Sequence, residues 1–339
     1  MFFHSFPRTP RGEPVDEDKG LKILANILKS GLLLVPEVVD YPAEYSGGNE
    51  YHLVQSRFCL TQLDDLERLE RHAGHFGTFH LEFSDETIYF LGAIPVMYLP
   101  KRSRQPVASS APLADLGSFF IHRLLELQNL CTRMKQLESI LLTNSFNEII
   151  TIDDKTDRTY TVNVKQAKTI LKMLCRDIES FDRIQGAIQG LASLFYPVDM
   201  DYTNEETDKS YYEQLYFFRQ REWRVIRGIK LAKQSMDEKL TDEEKAALLE
   251  IDPVFYGKGK KELEFIDGKN PKICECSVIK KLGESPVWEK INYIIVPTAK
   301  LEVARELAKN MSIRNRIIDM ETRKEIKAKA GAEKKAGRT

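Results

Sequence analysis

The sequence predicts an α+β fold: a small mixed or antiparallel sheet domain with a long helical hairpin inserted in its middle. Three observations carry this. The first hundred residues alternate short strand-like and short helix-like segments. The central stretch repeats apolar residues at steps of three and four, through Phe120, Leu124, Leu127, Cys131, Met134, Leu137 and Leu141. The last third returns to short mixed elements. Short alternating elements build a small sheet with helices on it, whereas a long amphipathic stripe needs a helical partner. The predicted organisation is therefore one split α+β domain made of 1–112 and 201–320. A helical insertion with a β-hairpin at its tip covers 113–200, and a basic disordered tail covers 321–339.

The elements follow in order. Leu21, Leu24 and Leu28 form one stripe, widened by Ile27, and predict a helix over 20–31 that Gly31 stops. Leu32 to Val35 is an apolar run before Pro36 and predicts a short buried strand. Pro42 and Gly47-Gly48 mark 36–52 as a surface loop. Arg57 to Leu60 predicts a strand. Leu63, Leu66 and Leu69 predict a helix over 62–72, broken by Gly74 and Gly77. Thr78 to Phe83 predicts another strand, and Ala93 to Leu99 a further short apolar segment. After the central helix, Ile149–Ile152 and Tyr160–Val164 flank the polar turn 153–157, a hairpin signal. A second long helix is predicted from Lys165, striped by Leu171, Leu174, Ile178, Phe181, Ile188, Leu191 and Phe195, and closed by Pro197. Neither long helix hides its stripe alone, so the two are expected to pack antiparallel. Trp223 to Ile226 predicts a strand. Thr241 with Asp242, Glu243 and Glu244 predicts a capped helix start. Ile291 to Val296 predicts a buried strand, and Leu301, Ala304, Leu307, Ala308 and Met311 a closing helix.

Composition excludes several classes. The chain has 339 residues, 42% hydrophobic and 30% charged, which is enough apolar material for a core and excludes wholesale disorder. Net charge is −1, so no global field steers the protein to nucleic acid or anionic lipid. The charge is uneven: seven Lys/Arg against two Glu from Thr322 onward make the tail +5 and leave −6 for the rest. That tail reads as a frayed helix passing into a disordered, solubilising end, with a weak nucleic-acid or partner contact as the alternative. No apolar run approaches the roughly 18–20 residues of a membrane helix. Met1 to Pro7 lacks the basic lead and apolar core of a secretion signal, and five cysteines do not form a disulfide framework. A cytoplasmic protein without membrane contact is expected.

The motifs with possible chemistry are few. His72 and His75 have one-turn spacing, but no third ligand is evident; Cys274 and Cys276 lack a second pair; so no metal is predicted. His80-Leu81-Glu82 lacks the cysteine half of a zinc-deaminase signature. The sequence contains no phosphate-loop, dinucleotide or nucleophile-elbow motif. Arg221-Glu222-Trp223-Arg224 is more informative. On a strand, Glu222 and Arg224 share one face while Trp223 takes the other. A carboxylate so held would oppose positive charge developing on a sugar carbon; the alternative is a charged pair on a solvated face.

Several segments in order resemble the AbiGi family of abortive-infection phage-resistance proteins. Phe3-His4-Ser5-Phe6 with Leu24-x-x-Ile27-Leu28-x-x-Gly31-Leu32 is similar to that family's opening. Arg57-Phe58-Cys59-Leu60-Thr61-Gln62-Leu63 stands where it has a "V-C-F-C-D-I-P-L" strand. His72-x-x-x-Phe76-Gly77-Thr78-Phe79, Gly92-Ala93-Ile94-Pro95-Val96-Met97-Tyr98 and Arg221-Glu222-Trp223-Arg224 are similar to further motifs. The chain departs at the family's Asp, which is Thr61 or Gln62 here, and at its Thr after His-Phe. The resemblance implies an antiviral defence protein of a toxin–antitoxin system, a regulator or sensor with a cognate toxin as partner. The layout is also similar to ADP-ribosyltransferase folds. That likeness implies an alternative, an NAD-dependent enzyme acting on nucleic acid or protein. In it, Glu222 would be catalytic, His4 would hold the ribose, Arg57 the pyrophosphate or substrate, and Tyr98 would wall a ring, with Arg224 beside Glu222.

Overall fold

The computed structural model describes residues 1–8, 13–41, 51–100, 111–143, 149–153, 159–174, 194–198, 221–226, 237–257 and 272–336. The chain divides into two compact units. Met1–Asp40, His52–Tyr98 and Tyr196–Thr339 form the first, and Tyr41–Tyr51 with Leu99–Phe195 the second.

The first segment of the chain runs β1 (Phe2–Phe6), α1 (Glu17–Ser30), β2 (Leu32–Tyr41), β3 (Tyr51–Gln62), α2 (Leu66–Phe76), β4 (Phe79–Phe83), α3 (Asp85–Phe90), β5 (Ile94–Pro95) and β6 (Met97–Pro100). The second unit then contributes α4 (Ala111–Thr143), the hairpin strands β7 (Ile149–Asp153) and β8 (Thr159–Asn163), and α5 (Val164–Leu174). In that hairpin Ile149 faces Asn163 and Asp153 faces Thr159. The continuation of the second long helix expected beyond Leu174 lies outside the described residues, as does the stretch 42–50 of the expected loop. The chain resumes with β9 (Phe195–Val198), β10 (Glu222–Ile226), β11 (Glu238–Lys239), α6 (Asp242–Ile251) and α7 (Pro253–Gly257). It closes with β12 (Ser277–Ile279), β13 (Lys281–Leu282), β14 (Ser285–Pro286), β15 (Ile291–Ile295), α8 (Leu301–Leu307), β16 (Ile317–Ile318) and α9 (Met320–Ala336).

The architecture is mixed α+β around a mixed ten-stranded sheet, in the order β11-β12-β2-β3-β1-β4-β15-β16, with β10 pairing with β3 and β5. Strand β1 runs antiparallel to β4, from Phe2 opposite Phe83 to Phe6 opposite Phe79. Strand β10 runs antiparallel to β3, with Glu222 opposite Thr61 and Arg224 opposite Cys59. Strands β15 and β16 are parallel. Side chains alternate between faces along a strand, so these registers assign the faces. One face carries Phe2, Phe6, Phe58, Leu60, Leu81 and Phe83 into the main core, where α1 adds Leu24, Ile27 and Leu28. Burying each such large side chain contributes about 1.5–3 kcal/mol. The other face carries Phe3 and Ile295 against Leu66 and Leu69 of α2.

Local signals set the boundaries. Asp16 caps α1, accepting from the Lys19 amide at 2.9 Å, and Asp65 caps α2 through the Arg68 amide at 2.7 Å. Thr241 and Glu244 form a reciprocal capping box on α6. Helix α2 runs through Gly74 and stops at Gly77, which corrects the expected break. An interior glycine costs only about 1 kcal/mol, whereas the stop needs the left-handed backbone that Gly77 supplies at φ 102°. A Cβ at Gly77 would sit 2.2 Å from the Phe6 backbone, so the position admits little else.

The closing segment, which the sequence predicts as a basic tail of frayed helix passing into a disordered end over 321–339, holds the helix Met320–Ala336. Its Arg323 is buried and donates to both carboxylate oxygens of Glu82 on β4, each at 2.7 Å. Met320 and Ile326 pack beside it against the α2 side of the sheet. Charge counting treats Arg323 as solvated; the fold supplies a buried partner. Among the described residues, no helix is long and apolar enough to cross a membrane, and no cluster of three potential ligands gathers for a metal.

Candidate functional site

The sheet opens between two of its strands. Strand β1 pairs with β3 through Phe2 and Phe3, opposite Gln62 and Thr61, and continues to Phe6 paired with β4 on its other side. Beyond Phe3 a side chain bridges the opening: His4 Nδ1 lies 2.8 Å from the Cys59 carbonyl oxygen. The carbonyl can only accept, so Nδ1 carries the proton and, in the neutral ring, Nε2 is left as an acceptor. Burial pushes the His4 pKa down to about 4; the Cys59 hydrogen bond opposes this and the nearby Arg8 reinforces it. His4 is thus a neutral imidazole at physiological pH. Its ring lies over Phe58, with centroids 4.1 Å apart and a 31° tilt.

A cleft of about 230 Å³ occupies this opening. Helix α1 presents Lys19, Ile23, Asn26 and Ile27 to it, residues spaced to fall on one helical face. Strand β2 adds Leu33, Val35 and Glu37, and α6 and α7 close the far side with Leu248, Phe255 and Tyr256. The walls are mainly apolar, and four of the charges lining them are paired. Arg57 donates to Glu37, and Lys19 to Asp252 at 2.5 Å. Glu37 is two-thirds shielded at its side chain, while Arg57 is buried. Burial raises the Glu37 pKa, but Arg57, Arg8 and Lys272 together hold it below the usual carboxylate range.

A second group of polar residues is buried nearby. Tyr98 donates to Glu222, and Arg224 Nε donates to the other Glu222 oxygen at 2.7 Å. Burial alone would raise the Glu222 pKa; Arg224 and the Tyr98 hydrogen bond outweigh it and bring it to about 2, with Arg57 adding to the effect. Burial and the adjacent Glu222 push the Tyr98 hydroxyl up, and they push the Cys59 thiol up to about 12. Neither Tyr98 nor Cys59 is a nucleophile at neutral pH. Glu222 itself is delivered by Arg221, whose backbone is left-handed at φ 43° and whose guanidinium reaches Asp64 at 3.0 Å. Trp223 takes the opposite face, edge-on to Phe2 at 5.3 Å.

The expected site residues therefore fall in two adjoining places. His4 and Arg57 line the cleft. Tyr98, Glu222 and Arg224 form the buried network, and Arg57 acts electrostatically on it. Glu222 is not among the residues lining the cleft. Glu37, Lys19 and Asp252 escaped sequence reasoning. Glu37 lies in a stretch expected to be a loop, and Lys19 and Asp252 are 233 positions apart, so no local pattern joins them. The side chains of His72 and His75 lie outside the described residues.

No protein-family model matches the chain, and no curated protein or solved structure does.

Proposed function

We propose that this chain is a phage-defence protein of the abortive-infection type, a regulator or sensor for a partner toxin, working by binding rather than turnover. The placement of Glu222 carries this reading. A carboxylate that stabilises charge on a reacting sugar must face that sugar. Glu222 instead spends its oxygens on Arg224 and Tyr98 and does not line the cleft. The neighbouring cleft, with an acceptor at His4 and paired charges at its edge, suits reversible occupancy by a small molecule. A sensor needs such a receiving site and a partner to inform. The test is expression of the chain with and without its adjacent gene, scoring growth and phage plating. Protection that requires both genes, with a complex that co-purifies, is the expected result. Toxicity of this chain alone, with no co-purifying partner, overturns it.

One observation favours a second reading, an NAD-dependent ADP-ribosyltransferase-like enzyme: His4 and Arg57 share the cleft, and Arg57 acts on Glu222. It requires NAD consumption that Glu222→Gln abolishes. Wild-type and variant chains that turn over NAD equally, or a wild-type chain that does not turn it over, reject it.

A further inference from the structure

The cleft differs from a generic apolar hole in two ways. First, its wall is rich in rings. His4 and Phe58 make a tilted pair at one side, and Phe255 and Tyr256, at right angles with centroids 4.8 Å apart, stand at the other. Rings so placed offer faces and edges to a flat ligand, an arrangement aromatic pairs favour over aliphatic contact. The volume of about 230 Å³ exceeds the ~150 Å³ that suffices for benzene, leaving room for a substituent. Second, the charges lining it do not cancel. Glu37 is matched by Arg57 and Asp252 by Lys19, while Arg8 adds a third cation at the exposed edge. Lys272, stacked 3.8 Å over the Phe255 ring, acts on Glu37 from just outside the lining.

We propose that this cleft binds a small aromatic anion of arylalkanoate size, its ring between Phe58 and Phe255 and its charge toward Arg8. A cationic ligand would meet the surplus positive charge, and a purely aliphatic one would forgo the ring contacts. The proposal deepens the sensor reading and rests on it for biological meaning, though its test does not depend on phage plating.

The experiment is calorimetric titration of the full chain with four probes: 3-phenylpropionate, its alcohol 3-phenylpropanol, 3-phenylpropylamine and NAD. The carboxylate is expected to bind at least about fivefold more tightly than the alcohol, the scale of one partly screened charge contact, and the amine more weakly still. Ile23→Trp, which fills the cleft from α1, abolishes binding of all three phenyl probes. Phe255→Ala, at an exposed position, weakens all three and serves if the Trp variant does not fold. Arg8→Gln narrows the lead of the carboxylate over the alcohol to about twofold or less and leaves the alcohol's affinity unchanged. An amine that binds as well as the carboxylate overturns the proposal. So does a folded wild-type chain that takes up none of the phenyl probes at millimolar concentration, or one that takes up NAD alone. That last outcome also shifts support to the enzyme reading. Binding as expected with no effect of Arg8→Gln or Ile23→Trp on plating refutes the sensor role while leaving the ligand site standing.

Discussion

Two ion pairs in the first unit show what burial does to a charge. Glu82 and Arg323 join a sheet strand to the closing helix, both nearly inaccessible, with two parallel hydrogen bonds. Arg57 and Glu37 join two strands beside the cleft; Arg57 is 5% exposed at its side chain and Glu37 32%. The first pair is sealed on both sides and holds an element in place. The second is sealed on one side and open on the other, so its carboxylate remains within reach of a ligand. The Glu222–Arg224 pair resembles the sealed type, at 15% and 2% exposure, although sequence reasoning marked it as the reactive one. Residue type and spacing do not separate a sealed pair from a half-open one; the packing around each does.

That contrast can be broken by substitution. Glu82→Gln leaves Arg323 buried without a counter-charge, and should cost about 3–5 kcal/mol in urea unfolding, with α9 loosened first in hydrogen exchange. A loss below about 1 kcal/mol would mean the pair is not sealed in solution. Glu222→Gln keeps the shape and the Tyr98 contact but removes the charge facing Arg224, and is expected to cost about 3 kcal/mol. An unchanged midpoint would return Glu222 to the list of functional carboxylates.

Acid sharpens the comparison next. The His4 ring has its pKa lowered to about 4 in the folded chain, against 6.5 for a free ring. Between those values the unfolded chain takes up a proton that the folded chain refuses. His4 therefore contributes its full stability above pH 6.5 and loses it as pH falls toward 4, with a slope of up to about 1.4 kcal/mol per pH unit. His4→Asn should flatten that slope in unfolding curves from pH 7 to 4. A wild-type chain with no loss over that window would place His4 in water. Glu222, with its pKa brought down to about 2, acts lower still: its contribution is complete above pH 4.5 and disappears as pH falls toward 2. The smallest effect belongs to the open pair. Glu37→Gln should cost only about 1 kcal/mol of stability, because water reaches that side of the pair and the Glu222 carboxylate still acts on Arg57. A cost matching that of Glu82→Gln would show the cleft is closed.

Much of the fold was legible from local pattern. The Leu24–Ile27–Leu28 stripe, the Thr241 capping box, the hairpin around 153–157 and the strand at Trp223 depend on neighbours within a few residues, where periodicity and caps act. The helix at 85–90 was missed because it is one short turn beyond a strand, set by Ser84 capping the Thr87 amide at 3.1 Å. Strand β2 runs through Pro36 to Tyr41, past the stop the sequence predicts there; β12 pairs with it only at Leu32–Leu34, so on that side Pro36 has no ladder bond to lose. Of the site, His4 and Arg57 were found by resemblance and Glu222 by its place beside Trp223; none of these signals reports exposure.

The amino-acid order by itself determined the α+β class, the locally patterned elements such as α1 and α6, the chain stops at Gly31 and Gly77, and which strand face each residue of the Trp223 segment takes. These follow from backbone sterics and side-chain alternation, which need no distant partner. Only the tertiary structure decided that Arg323 would find Glu82 across 241 positions, that Glu222 would be saturated by Arg224 and Tyr98, and that β1 and β3 would part to admit α1, α6 and α7 around a cleft. A charge's role is set by how much water it keeps, and water is excluded by whichever elements pack over it, however far apart they lie in the chain.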